Sequence, residues 1–538
     1  MTMMVEHITN NALRLKICRA AVHFCKYLAL VVFSSAVSIP ALFGKADRFR
    51  ATWRQDPSAS ISIGWNQTGA SDPVFYYDTK DHGLHPDKYA FQKVPDLVRD
   101  FKGMKNSFVR LSDLLPNTLY HFVVRDAEGI SRKLSFQTAP NSPEIPFTFV
   151  AGGDSRNMRE ARIKANKLVG KMRPLFVLFG GDMSDTNSAE EWMEWLEDWQ
   201  HTTTQEGRLT PVLPSMGNHE EIPATLVNLF DVNASKLYYA LTFGGSLLRI
   251  YTLNSFEAPG GDQKDWLKND LETHRDELYR IVQYHLPMRP HTLGKDVNQE
   301  EYMHWTPLFL KYGMRLAIEC DAHLAKYTYP LRPSVSADAI EGFVRDDQFG
   351  TVYIGEGGWG APLRQANRNR KWTRNSESFN HFHWIFASRE KLEVRTVKTE
   401  SVDKVLPSAT KNPFELLKGL AIWSPSNGSV LSIPGADAAK TSVISFEEKE
   451  KVNVNSLSKV SAEYGNLELR FTLPVTGDVK VRVHQLNMDE IYSMVIPRLP
   501  AGKNTEIIRF DKVPQGKYIV AIHSAGKLVE RFLVHKKS

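Results

Sequence analysis

Cysteine is scarce in this chain, which has three among its 538 residues. Cys18 and Cys25 lie near the amino terminus, and Cys320 is the only cysteine after them. If the amino-terminal segment is removed, no disulfide can form within the remaining chain, which excludes a small scaffold held together by disulfides. Cys320 precedes Asp321, but neighbouring residues of a strand face opposite ways, so we do not expect Cys320 to bind a metal.

Long apolar runs are absent beyond residue 41. The apolar stretch from Tyr27 to Ala41 follows four basic residues and ends in small residues, a pattern typical of a secretory signal peptide. We therefore assign residues 1–46 to a signal peptide, with an uncleaved amino-terminal membrane anchor as the alternative. Because no other run approaches the roughly 20 apolar residues of a membrane span, we expect the mature protein to be soluble outside the cytoplasm, secreted or at the cell surface.

A strong excess of charge is also absent. The chain has a formal net charge of +6, and residues 1–46 hold five Lys or Arg against one Glu. Removal of that segment leaves a net charge of about +2, so the charge predicts binding neither to nucleic acid nor to a membrane surface. The chain is longer than one hydrophobic core usually supports, which predicts three or more domains.

Five short apolar runs each end in residues that can bind metals. The runs that end at Gly153 and Gly181 are followed by Asp154 and Asp182. Three later runs lead, in order, to Asn218 and His219, to His285, and to Asp321 and His323. Short apolar runs are typical of buried strands in an α/β sheet, and such sheets place ligands beyond the carboxyl ends of their strands. We therefore expect these polar side chains to meet at one edge.

The residue types fit a centre with two metals. Two metals roughly 3.5–4 Å apart need a bridging carboxylate, with oxygen and nitrogen ligands on either side. Asp182 is the predicted bridge, Asn218 offers a carbonyl oxygen, and His285 and His323 offer imidazole nitrogens suited to Fe, Zn or Mn. We therefore expect two metal ions per chain, with Fe, Mn or Zn as the metals.

The order of these motifs resembles that of the metallophosphoesterase (calcineurin-like) superfamily, and within it the purple acid phosphatases. The resemblance lies in two Gly-Asp pairs, in Gly-Asn-His-Glu at 217–220, and in the two later histidines. Upstream, Trp53-Arg-Gln-Asp-Pro57, Phe75-Tyr-Tyr77 and Phe136-Gln-Thr-Ala-Pro140 resemble the fibronectin type III-like amino-terminal domain of those phosphatases. Exported animal and plant relatives more often carry disulfides, so the lack of cysteine favours a bacterial source.

The resemblance implies a role for each matched residue. Asp154, Asp182 and His323 match ligands of the first metal, and Asp182, Asn218 and His285 match ligands of the second. His219 matches a histidine that contacts the substrate phosphate and helps to protonate the leaving group. His291 is a looser match to another such histidine.

Three residues depart from the pattern of the resembled family. Asp185 stands where a tyrosine ligand is usual, and Asp321 stands where a histidine is usual. Both are expected to bind metal through oxygen, which favours Mn or Fe and makes Mg or Ca conceivable. Without a phenolate ligand we expect no charge-transfer band, hence a protein that is not purple. Arg156 could bind phosphate bidentately or neutralise Asp185.

We predict a multi-domain fold: an α/β metallophosphoesterase core, itself a β-sandwich flanked by helices, with all-β sandwich domains at both ends. The boundaries are a fibronectin type III-like domain at 47–142, the catalytic domain at 143–400, a linker or catalytic-domain extension at 401–460, and a β-sandwich at 461–538. The last segment alternates apolar and polar residues between Gly and Pro turns. Leu499-Pro-Ala-Gly502 and Val513-Pro-Gln-Gly516 resemble the sorting domain of type IX secretion substrates, which implies secretion machinery as a partner. An ordinary accessory sandwich is the alternative.

The resemblance implies a secreted phosphoesterase with two metals that hydrolyses small phosphate monoesters by in-line attack of a metal-activated hydroxide. A phosphodiesterase of the same superfamily is the nearest alternative. A surface binding protein with a degenerate catalytic domain is a third hypothesis, and Asp185 and Asp321 motivate it. The sequence leaves the substrate and the oligomeric state undetermined.

Overall fold

A computed structural model describes residues 44–435 except 70, 71, 335, 337, 408–411 and 413, and residues 458–536 except 463–465, 486–489, 510–512, 514, 525 and 526. The predicted signal peptide or anchor at 1–46 lies outside the described residues, apart from its last three. The chain divides near residue 440 into two compact units. Within the described ranges, no helix is both long enough and apolar enough to cross a membrane.

The first part of the larger unit consists of two antiparallel sheets. Its strands are β1 (Ala46–Thr52), β2 (Ile61–Gln67), β3 (Val74–Asp78), β4 (Phe91–Lys93), β5 (Leu97–Phe101), β6 (Met104–Leu111), β7 (Leu119–Asp126), β8 (Gly129–Ile130) and β9 (Leu134–Gln137). One sheet has the order β1-β2-β6-β5, and the other has the order β4-β3-β7-β8 with β9 paired to β7. Trp65 of one sheet stacks on Phe75 of the other with 6.1 Å between ring centroids, so aromatic side chains fill the space between the sheets.

The second part of this unit is built on two larger sheets. The first has the order β12 (Val212–Pro214), β11 (Val177–Phe179), β10 (Phe147–Gly152), β22 (His381–Ala387), β23 (Lys391–Lys398), β24 (Leu431–Pro434). The second has the order β13 (Tyr239–Phe243), β14 (Leu248–Thr252), β15 (Tyr279–Gln283), β16 (Met314–Glu319), β20 (Val352–Gly355), β17 (Ala325–Thr328), β21 (Thr373–Glu377). A hairpin of β18 (Leu331–Pro333) and β19 (Phe343–Arg345) lies beside them.

The apolar runs of the sequence form strands that are buried on both faces. In β10, Phe149 and Ala151 face the core that the two large sheets share, whereas Val150 faces the helices outside the first sheet. β10, β11 and β12 pair in parallel, and so do β14, β15, β16 and β20. Parallel pairing brings the carboxyl ends of neighbouring strands to the same edge, and the residues that follow those ends are therefore placed together.

Five helices cover the outer faces of the two sheets in the described part of the chain. They are α1 (Arg159–Met172), α2 (Ala189–Trp199), α3 (Pro223–Phe230), α4 (Asp262–Thr273) and α5 (Gln299–Tyr312), with short 3₁₀ turns at Pro86–Lys88, Gln200–Thr202, Asn218–Glu220 and Thr399–Lys404. The first three pack on the first sheet, and α4 and α5 pack on the second. The Ser188 side chain caps α2 by accepting a hydrogen bond from the Glu191 N–H.

The two parts of the larger unit are joined by a buried carboxylate. Asp231, which follows α3, accepts hydrogen bonds from Arg54 and Arg110 at 2.6 to 2.9 Å and from the Ser62 hydroxyl at 2.8 Å. Its side chain is 3% exposed. Charge-assisted contacts with a buried acceptor therefore fix the amino-terminal sheets against the part that is built on the two larger sheets.

The smaller unit is made of strands in the described residues. They are β25 (Ser458–Ala462), β26 (Asn466–Leu473), β27 (Gly477–Gln485), β28 (Glu490–Leu499), β29 (Gly502–Arg509), β30 (Gly516–Ser524) and β31 (Lys527–Lys536). A sheet of order β25-β31-β30-β27-β28 and a second sheet of β26 and β29 share one core. The prediction of an α/β core with sheet-rich domains at both ends is confirmed. Within 401–460, β24 pairs with β23, while residues 436–457 lie outside the described residues.

Candidate metal centre

The predicted ligands lie in the loops just beyond parallel strands. Asp154 follows β10, Asp182 follows β11, and Asp321 and His323 follow β16. These four residues all have left-handed backbone conformations, with φ of 62°, 54°, 67° and 55°. A non-glycine residue with positive φ is uncommon and costs free energy, and such residues concentrate at functional sites. The backbone therefore turns these four side chains towards one shared space, which we call the hollow.

Two overlapping groups of buried side chains form at this edge. In the first, Asp154, Asp182 and His323 present ligand atoms that all lie within 4.8 Å of one another. In the second, Asp182, His285 and Asp321 do the same. Asn218 joins the second group, since its Oδ1 lies 3.3 Å from His285 Nε2. Asp182 is shared by both groups, which is the position a bridging carboxylate requires.

Backbone carbonyls set the orientation of both histidines. His285 Nδ1 lies 2.8 Å from the Gly180 carbonyl oxygen, and His323 Nδ1 lies 2.8 Å from that of Pro362. A carbonyl can only accept, so Nδ1 carries the proton in each ring and donates it. The Nε2 atoms then face the carboxylates, with His285 Nε2 3.4 Å from Asp182 Oδ1 and His323 Nε2 3.2 Å from Asp154 Oδ1. Metal-binding histidines in proteins are usually held by such second hydrogen bonds.

The electrostatics of the hollow favour a cation. Burial alone lowers the pKa of His285, but the charge of Asp182, with smaller contributions from Asp154 and Asp321, raises it to about 10. Burial raises the pKa of Asp182, yet the charges of His285 and His219 hold it well below its ordinary value. A group that holds a proton this strongly has excess negative charge around it, and a metal ion could take the place of that proton.

Two buried atoms of the first group have no hydrogen-bond partner. They are Asp154 Oδ1 and His323 Nε2. A buried polar atom without a partner is costly, and a metal ion between the two would satisfy both. The oxygen and nitrogen donors of the two groups therefore fit a pair of metal ions.

Glycine allows the loops to approach these carboxylates closely. A Cβ at Gly217 would lie 2.2 Å from Asp182 Oδ1, and a Cβ at Gly357 would lie 1.9 Å from Asp154 Oδ2. Gly357 also has φ of +76°, a conformation that L side chains rarely adopt. No larger residue fits at either position without moving a predicted ligand.

Arg156, His219 and Asp185 lie together at the side of Asp182. Arg156 Nη2 is 3.1 Å from Asp182 Oδ2, and Arg156 Nη1 is 3.5 Å from Asp185 Oδ1. His219 Nδ1 donates to the Asp185 carbonyl oxygen, which leaves His219 Nε2 facing Asp182 Oδ2 at 3.8 Å. The Asp185 side chain, 31% exposed, belongs to neither buried group. The structure therefore places Asp185 as the partner of Arg156 rather than among the buried ligands.

The structure does not bring His291 to this hollow. Its ring is fully buried, with Nδ1 3.3 Å from Glu356 Oε1 and Nε2 2.8 Å from Thr373 Oγ1. Burial lowers the pKa of His291 to about 4, so the ring is neutral near pH 7. No hydrogen bond or ion pair of the described residues joins this ring to the predicted ligands. The ring of His291 is therefore hydrogen-bonded to Glu356 and Thr373, and the structure does not support the prediction that it is a second proton donor.

Two residues near the hollow lie outside the predicted ligand set. Lys295 Nζ lies 2.5 Å from Asp321 Oδ1. The Glu220 carboxylate accepts hydrogen bonds from the N–H groups of Gly217, Asp182 and Met183 at 2.7 to 3.0 Å, so it ties two ligand loops together. Glu220 is the last residue of the Gly-Asn-His-Glu motif at 217–220, whereas Lys295 is an isolated loop lysine with no motif around it.

Comparison with protein families identifies two domains. Residues 46–138 match the family described as purple acid phosphatase, N-terminal domain. Residues 153–319 match the calcineurin-like phosphoesterase family. The second match contains five of the predicted ligands, Asp154, Asp182, Asp185, Asn218 and His285, and ends just before Asp321. Enzymes of this superfamily use a centre with two metals, and the two buried groups are the candidate ligands for it.

The chain is also similar to individual proteins. Two uncharacterized proteins of Mycobacterium tuberculosis are each 24% identical to it over 363 residues, which cover 57% of this chain and 68% of the relative. A purple acid phosphatase from yellow lupin (Lupinus luteus) seeds superposes with a TM-score of 0.55 at 14% identity, covering 66% of this chain and 72% of the other. A PhoD structure superposes with a TM-score of 0.53 at 10% identity, covering 72% of this chain and 92% of the other. At identities of 14% and 10%, these two superpositions show that the fold is shared and nothing more. The chain therefore contains a purple acid phosphatase N-terminal domain and a calcineurin-like phosphoesterase domain, and these matches support a hydrolase of the metallophosphoesterase superfamily.

Proposed function

We propose that the protein hydrolyses phosphate monoesters with two metal ions and acts outside the cytoplasm. The observation that supports this proposal most strongly is that Asp182 belongs to two buried ligand groups at once. A single metal site needs one such group, whereas two groups that share a carboxylate suit a pair of metals. Phosphoryl transfer is the reaction that such a pair performs in many hydrolases.

The residues that would hold the metals divide into two sets. Asp154, Asp182 and His323 would hold one ion, and Asp182, Asn218, His285 and Asp321 would hold the other. When bound, a pair of cations supplies an activated water at neutral pH and stabilises charge on the transferred phosphoryl group. Five of these six side chains are fully buried, and each offers a carboxylate oxygen or one imidazole nitrogen to a metal. Their burial keeps bulk water from competing for the metals.

Arg156 and His219 are placed to act on the substrate. The Arg156 guanidinium borders Asp182 and is 16% exposed, so it can reach a phosphate oxygen from the solvent side. His219, 21% exposed, donates from Nδ1 to the Asp185 carbonyl and so presents Nε2 towards the same space. A protonated His219 could pass the Nε2 proton to the leaving oxygen, a step worth about 10²- to 10⁴-fold in rate.

Elemental analysis together with two substrates tests this proposal. We expect two metal ions per chain, and faster hydrolysis of p-nitrophenyl phosphate than of bis(p-nitrophenyl) phosphate. Asn218→Ala and His285→Ala should lower metal content and hydrolysis together, while His304→Ala, a change on an outer helix, should leave both unaltered. Faster hydrolysis of the bis ester would assign a phosphodiesterase instead. Fewer than one metal per chain and no turnover would favour a binding protein with a degenerate site.

The donor set also supports a proposal about the metals. The position of the usual tyrosine ligand is held by Asp185, which pairs with Arg156, so no phenolate is available at that point. Carboxylate and amide oxygens outnumber imidazoles among the candidate ligands, which favours Mn or Fe. We expect the iron-loaded protein to lack a visible charge-transfer band, and absorption spectra of the reconstituted protein would show whether it does.

Action outside the cytoplasm is supported by the amino-terminal sequence pattern alone. A basic segment precedes the apolar stretch from Tyr27 to Ala41, as in secretory signals. Expression of the full chain, followed by fractionation and amino-terminal sequencing of the recovered protein, would test it. A chain that keeps its first 46 residues in the membrane fraction would identify an anchor instead.

A further inference from the structure

Lys295 contacts the predicted ligand that departs from the expected histidine. Lys295 Nζ lies 2.5 Å from Asp321 Oδ1, and this same oxygen lies 3.7 Å from His285 Nε2. The Asp321 side chain is 3% exposed and the Lys295 side chain is 25% exposed. The ammonium group therefore lies at the border between the buried ligands and solvent.

Contacts from the following loop hold this pair in place. Arg368 Nη1 donates to the Lys295 carbonyl oxygen at 3.3 Å, and Arg364 Nη1 donates to the Asp321 carbonyl oxygen at 2.8 Å. Arg156 makes the equivalent side-chain contact with Asp182. Two cationic side chains thus border the candidate metal centre, each at a different carboxylate.

The charges of the hollow indicate what these cations are suited to bind. Four carboxylates, Asp154, Asp182, Asp185 and Asp321, would be balanced by two divalent metal ions. Arg156 and Lys295 then add two cationic side chains at its border, which leaves a net charge of about +2 at the hollow. A phosphate monoester is close to a dianion at that pH, and a diester is a monoanion. The net charge therefore matches a monoester.

We propose that Lys295 is a substrate-binding residue whose ammonium group binds an oxygen of the phosphate monoester dianion. This inference rests on the proposed function, and it assigns a specificity for monoesters over diesters to a residue outside the predicted ligand set. A histidine at position 321 would add no negative charge, whereas Asp321 adds one and Lys295 offsets it. The ammonium is a compact charge that binds phosphate without needing a fixed bidentate geometry.

A purely structural role for Lys295 has a different consequence. If Lys295 only holds Asp321 in position for a metal, its removal should reduce the metal content of the protein. If Lys295 binds phosphate, its removal should leave the metals in place, because a positive neighbour repels them, and should weaken phosphate binding. Metal retention and phosphate affinity therefore separate the two roles.

The test uses Lys295→Gln in the full chain, with Lys371→Gln as a control that removes an equal charge from an exposed position of the same loop region. We expect Lys295→Gln to keep two metals by elemental analysis and to bind inorganic phosphate about tenfold more weakly by calorimetry, as for loss of a charge-assisted hydrogen bond. KM for p-nitrophenyl phosphate should rise by a similar factor, with little change for the bis ester. Lys371→Gln should behave as the wild type.

Two results would overturn the inference. Phosphate affinity within twofold of the wild type would remove Lys295 from the substrate site, and a loss of metal that accounts for the weaker binding would make it a positioning residue. Either result leaves the proposed function standing if the wild type holds two metals and hydrolyses the monoester. A wild type that holds fewer metals and binds no phosphate would sink both.

Discussion

Replacing Lys326 by methionine should destabilise the protein strongly, because Lys326 lies between two buried carboxylates. Its Nζ donates to Glu319 and, at 2.6 Å, to Glu356 Oε1. All three side chains are at most 1% exposed. Glu319 also accepts hydrogen bonds from the Tyr284 hydroxyl at 2.8 Å and from the Met288 N–H at 2.9 Å. This buried ion group therefore joins the strand before His285 to the loop beyond it.

The loss of unfolding free energy follows from the two carboxylates that Lys326→Met leaves buried. Lys326→Met keeps the volume but leaves two carboxylates buried without a cation, and breaking such a pair costs about 3–5 kcal/mol. For a unit of this size, with a urea slope of roughly 3 kcal/mol per M or more, the unfolding midpoint should fall by about 1 M. Since the Glu356 backbone carbonyl accepts from the His323 N–H at 2.6 Å, we also expect weaker metal retention.

The pH dependence gives this prediction a sign. Burial alone raises the pKa of Glu356, but Lys326 and His291 lower it to about 2. In the wild type Glu356 thus contributes stability above its unfolded pKa of about 4.3, and this contribution is lost as the pH falls towards 2. Without Lys326 the pKa of Glu356 rises, so the folded variant binds a proton and regains stability as the pH falls. The deficit should be larger at pH 7 than at pH 4.

Urea unfolding of the full chain at both pH values, followed by tryptophan fluorescence, measures the deficit. Lys391→Met is the matched control, because Lys391 forms an exposed ion pair with Glu393 and its side chain is 50% exposed. Exposed pairs contribute about 0–1 kcal/mol, so the control midpoint should hardly move. The reasoning fails if the two variants shift the midpoint equally, or if the deficit of Lys326→Met grows towards pH 4.

Three further variants test other parts of the structure. His291→Asn should reduce the pH dependence of the unfolding free energy between pH 6.5 and about 4. In that range the unfolded histidine binds a proton and the buried one does not, which contributes about 1.4 kcal/mol per pH unit. An unchanged pH dependence of the urea midpoint contradicts this. Asp231→Ala removes the carboxylate to which Arg54 and Arg110 both donate, so it should lower the unfolding free energy by about 2 kcal/mol. An unaltered thermal midpoint would refute this. Gly217→Ala, whose Cβ displaces Asp182, should weaken metal affinity by roughly 10- to 100-fold in a chelator titration. Gly294→Ala, whose Cβ would meet its nearest atom at an ordinary contact distance of 3.8 Å, should bind metal normally.

Local pattern was sufficient to predict the strands and the residues that follow them. The strands before Asp154 and Asp182 could be predicted because strands buried on both faces need continuous apolar residues. The two aspartates could be predicted as ligands because ligands bind in the loops beyond parallel strands. The position of the His291 ring could not be predicted in this way. Spacing from His285 suggested a site histidine, but the ring turns to Glu356, which is 65 residues away in sequence.

The spacing of residues in the sequence likewise could not predict which charged side chains form ion pairs. Asp185 and Asp321 were predicted together as substituted ligands, yet only Asp321 joins a buried group, while Asp185 pairs with Arg156. Lys295 and Lys326 stood in loops and strands with no motif around them. Their partners are 26 and 30 residues away, at Asp321 and Glu356.

The sequence by itself determined the order of elements, the types of donor atom available and the loops in which they lie, because these depend on the periodicity of short segments and on side-chain chemistry. Only the tertiary structure decided which of those donors share a hollow and which cations border it. The reason is that distances between loops depend on how two sheets twist and pack. That packing decides that Asp182 serves two groups and that Lys295 meets Asp321.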